Sequence, residues 1–226
     1  MLSYASLLTA LVAISGVSAT PAASPMDLMR RQGVTPNEEG THDGYFFSWW
    51  SDGASPVTYT NLEGGSYSVE WQAGGNLVGG KGWNPGGPKN ITYSGTWEPV
   101  NNGNSYLTVY GWTRNPLVEY YIIENHGEYN PGSAGQNRGH IDTPDGGYTL
   151  YESTRTNQPS IDGTATFQQY WAIRDEKRIG GTVDTQVFFD AWEAAGMPLG
   201  EHYYMIMATE AYQSAGSSHI TVETPP

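Results

Sequence analysis

From Gly44 onward the chain repeats one pattern: large side chains alternate with smaller ones at a period of two, which a strand can satisfy and a helix cannot. Tyr67, Val69 and Trp71 alternate with Ser68, Glu70 and Gln72, and Tyr106, Thr108, Tyr110 and Trp112 alternate with Leu107, Val109 and Gly111. Further runs of this kind are Val118 to Glu124, Gly147 to Thr154, Thr164 to Arg174, Tyr203 to Tyr212 and His219 to Glu223. Gly, Asn, Asp and Pro clusters separate them, as hairpin turns require. One segment departs from the pattern. Between Thr185 and Gly196, residues Val187, Phe188, Ala191, Trp192 and Ala195 fall at helical spacing, and Gly196 and Pro198 supply a stop. With no internal repeat and no linker between unlike segments, one β-sandwich with one helix is the economical reading.

Composition narrows the chemistry. The chain has no cysteine, which removes a disulfide scaffold, a thiolate zinc site and a cysteine nucleophile together. A formal charge of −13 argues against nucleic acid and anionic membranes as partners, because both are bound through Lys and Arg; a neutral or cationic partner fits better. At the start, the apolar run Leu7 to Val17 ends in Val17-Ser18-Ala19 and is too short to span a bilayer, so residues 1–19 read as a secretory signal. Residues 20–31 close in Arg30-Arg31 and read as a propeptide cut after a dibasic pair, leaving 32–226 as the one mature domain. An ordinary surface arginine pair is the alternative.

Aromatics make up 13% of the residues, with 16 Tyr and 8 Trp against 5 Phe, and they fall on both faces of several strands. Rings alternating along the outer face of a sheet make a lined groove of the kind that sugar rings favour, since their C–H faces stack while their hydroxyls seek hydrogen bonds. Two glutamates sit among these rings. Glu119 shares a strand face with Tyr121, and Glu210 shares one with Tyr204, Ala208 and Tyr212. Either glutamate alone could simply face solvent. Together they supply what glycoside hydrolysis needs: one ionised carboxylate and one protonated carboxyl.

At these residues the sequence resembles glycoside hydrolase family 11, the secreted endo-1,4-β-xylanases, over about Gly44 to Val222. Asn115-Pro116-Leu117-Val118-Glu119-Tyr120-Tyr121 is similar to the family's nucleophile strand. Ala208-Thr209-Glu210-Ala211-Tyr212-Gln213 is similar to its acid/base strand, and Arg155 to Gly163 to its thumb hairpin. The resemblance implies an all-β jelly-roll sandwich of two curved antiparallel sheets with a deep cleft and a single α-helix. It implies a retaining two-glutamate mechanism with Glu119 as nucleophile and Glu210 as acid/base, no cofactor and no metal. Xylan and xylo-oligosaccharides would be the partners of a monomer. Carried over residue by residue, the substrate-binding set is Trp50, Asn76, Tyr110, Tyr121, Arg155, Pro159, Ile161, Gln169 and Tyr204. Groove-wall packing remains an alternative for the tyrosines, a core position for Trp50 and a hairpin salt bridge for Arg155.

Three departures from the family pattern stand out. Ala211 replaces a common Gly after the acid/base residue, Phe47 replaces a common Trp, and 128–139 is a loop with no clear counterpart. Asn76, where acidic-range relatives carry Asp, implies a working range of roughly pH 5–7. A non-catalytic glycan-binding sandwich and a jelly-roll β-glucanase are the rivals. Asn90-Ile91-Thr92 is the one sequon with a permitted middle residue, which makes Asn90 a glycosylation candidate.

Overall fold

The computed structural model describes residues 33–100 and 103–226; the expected signal and propeptide segments, 1–19 and 20–31, lie outside the described residues. In chain order the first strands are β1 (Glu38–His42), β2 (Tyr45–Ser51), β3 (Val57–Asn61), β4 (Ser66–Trp71), β5 (Asn76–Trp83), β6 (Asn90–Val100) and β7 (Asn104–Arg114). They are followed by β8 (Val118–His126), β9 (Gln136–Thr143), β10 (Gly146–Ser160), β11 (Gly163–Arg174) and β12 (Gly181–Asp184), then helix α1 (Thr185–Ala194), β13 (Glu201–Tyr212) and β14 (Ala215–Val222).

Nine strands form one sheet in the order β1-β2-β5-β13-β7-β8-β11-β10-β9, and five form a second in the order β12-β6-β14-β4-β3. The smaller sheet behaves as period-two patterning predicts. Tyr67, Val69 and Trp71 of β4 and Ile91, Tyr93 and Trp97 of β6 are buried in the core between the sheets, while Glu70, Thr96 and Glu98 face water. The larger sheet differs, because both its faces are apolar. Val118, Tyr120 and Ile122 of β8 join the inter-sheet core, whereas Tyr121 and Ile123 join a second cluster on the opposite face with Tyr110, Trp112, Phe167, Trp171 and Tyr204. That second face becomes the wall of the cleft.

The helix forms where its spacing predicts. The Asp184 side chain accepts from Gln186 N and caps its start, and Phe188, Phe189 and Trp192 bury its inner face. Phe188 meets Tyr148 edge-on at 4.7 Å, and Trp192 tilts against Tyr120 and Tyr170. The helix ends where its spacing predicts: Ala195 caps it, Gly196 takes a φ of 74° and Met197 N turns back to Trp192 O. One glycine is dictated by crowding between strands: a Cβ on Gly80 of β5 would lie 1.9 Å from the Met207 carbonyl oxygen of β13.

The two sheets are antiparallel-rich, as expected, but not wholly antiparallel: β11 runs parallel to β8, with Gln169 opposite Glu119 and Trp171 opposite Tyr121. The cause is topological: after β8 the chain crosses to the far edge to lay down β9, and two hairpins then bring β11 back beside β8 in the same direction. Nor is 128–139 simply a loop. It contains a 3₁₀ turn, Pro131–Ala134, capped by Asn130, and the first residues of β9. Sequence patterning misses this strand because its side chains are mostly exposed and lack apolar alternation. The other departures are mild: Ala211 points into the inter-sheet core, and Phe47 packs there against Tyr59.

One buried charge ties these parts together. Glu124, at the end of β8 and 0% exposed, accepts from Tyr93 Oη at 2.9 Å, from Tyr148 Oη at 2.5 Å and from Arg178 Nε. It thereby joins the smaller sheet, the larger sheet and the segment leading into β12. Removing the carboxylate would strand two hydroxyls and a guanidinium, and the loss of one partner from such a buried set costs about 3–5 kcal/mol. Glu124→Ala should therefore lower stability by about that amount in denaturant titration, with the cleft residues untouched.

Candidate active site

The second face of the larger sheet lines a cleft of about 450 Å³. Every residue singled out for catalysis or substrate binding lines it: Glu119 and Tyr121 from β8, Tyr204 and Glu210 from β13, Trp50, Asn76, Tyr110, Arg155, Pro159 and Gln169 from neighbouring strands, and Ile161 from the β10–β11 turn. Asn90 lies elsewhere, exposed at the start of β6. Of the adjacent tryptophans, Trp49 is in the core, stacked on Tyr59 at 5.0 Å, so strand alternation turns Trp50 into the cleft.

Glu119 is 8% exposed, and a carboxylate so placed must be given donors. Tyr110 Oη donates to its Oε1 at 2.7 Å, and Gln169 Nε2 donates to its Oε2 at 2.6 Å. Trp112 Nε1 in turn donates to Tyr110 Oη at 2.6 Å. An indole N–H can only donate, so the tyrosine hydroxyl accepts from Trp112 and directs its own hydrogen at Glu119. Trp112 is a site residue that motif reading does not single out; its only signal is that it shares a strand face with Tyr110. Burial pushes the Glu119 carboxyl above the usual carboxylate range, while the Gln169, Tyr110 and Tyr121 donors and then the positive Arg155 pull it back.

Glu210 has a different surrounding. Burial, and then repulsion from Glu119, push its carboxyl well above the usual range, and only Tyr121 and Arg155 oppose them. Its Oε2 is buried with no hydrogen-bond partner among the described residues. Tyr121 acts on both carboxyls and stacks flat on Trp171 at 4.0 Å, which holds its hydroxyl between them. The pair is thus biased apart: a donor-rich carboxyl that ionises first and a repelled one that keeps its proton. Asn76 lies opposite Tyr212 on β13, next but one to Val78, which lies opposite Glu210.

The β10–β11 hairpin closes the cleft from one side. Its turn, Ile161–Asp162, joins Ser160 to Gly163, and the register slips between Arg155 and Gln158, where Asn157 takes a φ of 52°. Arg155 bonds Gln158 Oε1 at 3.4 Å and serves no salt bridge within the hairpin. The hairpin tip is instead tied across the cleft rim. Arg114, at the end of β7, places Nε and Nη2 at 2.8 and 2.7 Å from Asp162 Oδ1, with its guanidinium 4.2 Å above the Tyr203 ring. The pair is not visible in the sequence, because 48 residues separate its members and nothing local links Arg114 to the hairpin that holds Asp162.

Two carboxyls of opposed ionisation tendency, set in an aromatic-walled cleft, are the arrangement of a glycoside hydrolase. The sequence agrees: residues 42–221 match the glycosyl hydrolases family 11, and the chain belongs to that family. Over their full lengths it is 67% identical to "Ethylene-inducing xylanase 4" of Verticillium dahliae and 62% identical to "Endo-1,4-beta-xylanase 1" of Pyricularia grisea. It is 58% identical to "Endo-1,4-beta-xylanase 2" of Humicola insolens, covering 99% of this chain and 100% of that one.

The Arg114–Asp162 pair is exposed, so it adds little to global stability, yet it is the tie that anchors the hairpin tip. Asp162→Ala should leave the melting temperature nearly unchanged while hydrogen exchange quickens at the amides of Gln158 and residues 160–164. Raising the ionic strength should reproduce part of that effect in the parent.

Proposed function

We propose that this protein is a secreted endo-1,4-β-xylanase that cleaves internal β-1,4-xylosidic bonds of xylan with retention, through a double displacement by Glu119 and Glu210. The observation that carries this reading is the unlike treatment of the two carboxyls: donors converge on both oxygens of Glu119, while Glu210 keeps one buried oxygen without a partner. Glu119 attacks the anomeric carbon as the glycosidic C–O bond breaks, and the proton of Glu210 passes to the departing oxygen. The sugar is then held as an ester on Glu119, and the repulsion that kept Glu210 protonated is gone. Glu210 takes a proton from water, whose oxygen attacks the same carbon and frees Glu119 with the original configuration restored. Neither step calls on a metal or a cofactor.

The remaining assignments follow the same reading. Trp50 offers a stacking face for a sugar, while Tyr110, Tyr121, Gln169 and Tyr204 bond hydroxyls around the reacting ring. Arg155, Pro159 and Ile161 hold the chain from the hairpin. The names of the three relatives support xylan as the polymer, and the leader over residues 1–19, the dibasic cut before Gln32 and an exposed Asn90 fit a secreted monomeric glycoprotein. Among the described residues no helix is long and apolar enough to cross a membrane.

Glu119→Gln and Glu210→Gln should each abolish release of reducing ends from xylan while leaving the fold intact by circular dichroism. Cleavage by both purified variants would remove the mechanism, and an inverted anomer in the first NMR spectra of product would remove retention alone. Reducing ends released from cellulose rather than xylan would instead identify a β-glucanase.

The pH profile has a worked sign. Glu119 must be ionised, so the rate rises as pH passes its carboxyl, which burial holds above the usual range. Glu210 must be protonated, so the rate falls as pH passes its still higher titration. The limbs belong to the coupled pair, with an optimum at roughly pH 5–7. Asn76→Asp should move that optimum to lower pH, because an acid there can share a proton with Glu210 whereas an amide cannot. A pH–rate profile of parent and variant checks both statements.

A further inference from the structure

We propose that Ser153 is a positioning residue for the nucleophile: with the Trp171 indole behind it, its hydroxyl fixes which way round the Gln169 amide sits, so that an N–H group and not a carbonyl meets Glu119. The inference rests on reading Glu119 as the nucleophile.

Three residues lie in one row across the larger sheet, Ser153 of β10 opposite Gln169 of β11, and Gln169 opposite Glu119 of β8. The two ends of a glutamine amide have the same shape and opposite hydrogen-bonding character, so something outside the amide must choose between them. Trp171 begins the choice. Its Nε1 lies 3.1 Å from Ser153 Oγ and can only donate, which commits a lone pair of the serine and leaves its hydrogen to be given away. That hydrogen is received by Gln169 Oε1 at 3.2 Å, and with the carbonyl end so occupied the Nε2 end faces Glu119 Oε2 at 2.6 Å. The opposite orientation would bring a carbonyl oxygen against a carboxylate oxygen in a buried site, with repulsion in place of a charge-assisted bond.

The head of the chain is rigid. Trp171 stacks on Tyr121 at 4.0 Å and an interplanar angle of 10°, and it meets Tyr106 edge-on, so packing and not the hydrogen bond holds the indole. The other groups facing Glu119 are Tyr121 on its own strand, Tyr110 from β7, Tyr204 and Glu210 from β13 and Arg155 from β10. Among the donors to its oxygens, Tyr110 is oriented by Trp112 and Gln169 by Ser153, so an indole N–H stands at the head of each of these two chains.

Ser153→Ala, Ser153→Thr and Trp171→Phe test the proposal. The first removes the hydroxyl, the second keeps it, and the third keeps the stacked ring while deleting the N–H. Two readouts apply: titration of the Glu119 carboxyl by carbon NMR of protein labelled in its glutamates, and the pH dependence of kcat on xylan. In Ser153→Ala the Glu119 titration and the acid limb of kcat should both rise by about one pH unit, and kcat should fall about tenfold with KM nearly unchanged. Ser153→Thr should restore parent behaviour, and Trp171→Phe should shift both readouts the same way as Ser153→Ala. A parent-like Glu119 titration in Ser153→Ala would overturn the proposal, as would failure of Ser153→Thr to restore it. Should Ser153→Ala not fold, the Glu119 titration in Trp171→Phe decides, an unchanged value overturning the proposal. Because the NMR titration needs no substrate, it decides the relay even if xylan is not cleaved, an outcome that would refute the functional reading alone.

Discussion

Both faces of the larger sheet are apolar. Its strands carry rings and aliphatic side chains on each side, and the two sides are covered to different extents. One is closed permanently by the smaller sheet and by α1. The other is covered only along its margin by the β10–β11 hairpin, and the rest of it stands open as an aromatic-walled cleft. A sandwich that buried one face and hydrated the other would have an inner core but no groove. The surplus of Tyr and Trp over Phe follows from the same demand, because a ring on the cleft wall needs a polar edge as well as an apolar face.

Placing carboxylates on such a wall sets the terms of the chemistry. Desolvation raises both glutamates, and the surroundings then treat them unequally. Glu119 receives oriented donors on each oxygen, whereas Glu210 receives the field of Glu119. Nothing need be added to separate their roles, since each carboxyl supplies part of the other's environment.

Other buried charges in the protein show what a purely structural solution looks like. Glu124 is satisfied on both oxygens by hydroxyls and a guanidinium, and Lys81 donates to the carbonyls of Leu62 and Gly64 at 2.7 and 2.6 Å and meets His42 Nδ1 at 3.2 Å. These charges lock segments together and leave no valence open. Glu210 is treated differently, since its buried Oε2 has no hydrogen-bond partner among the described residues.

Much of this was legible in the chain. Period-two alternation is local, because successive Cβ atoms of a strand must point to opposite faces; it set Glu119 and Tyr121 on one face and grouped Glu210 with Tyr204, Ala208 and Tyr212 on another. Helical spacing, with Gly196 and Pro198 as the stop, located α1 for the same reason. Sheet order and register are not local. The parallel pairing of β8 with β11 depends on where the crossover after His126 lands, and it is this pairing that sets Gln169 against Glu119. Glu119 lies opposite Trp112 and Glu210 opposite Tyr106 on the strand between them, so their placement around the Tyr121 hydroxyl arises from the shape of the whole sheet and the reach of the side chains. The Arg114–Asp162 tie and the Trp171–Ser153–Gln169 relay are likewise contacts between residues far apart in sequence or on different strands. The residue types and the face each occupies were fixed by covalent geometry one residue at a time; which faces met, and which oxygen received which hydrogen, was decided only when the strands packed.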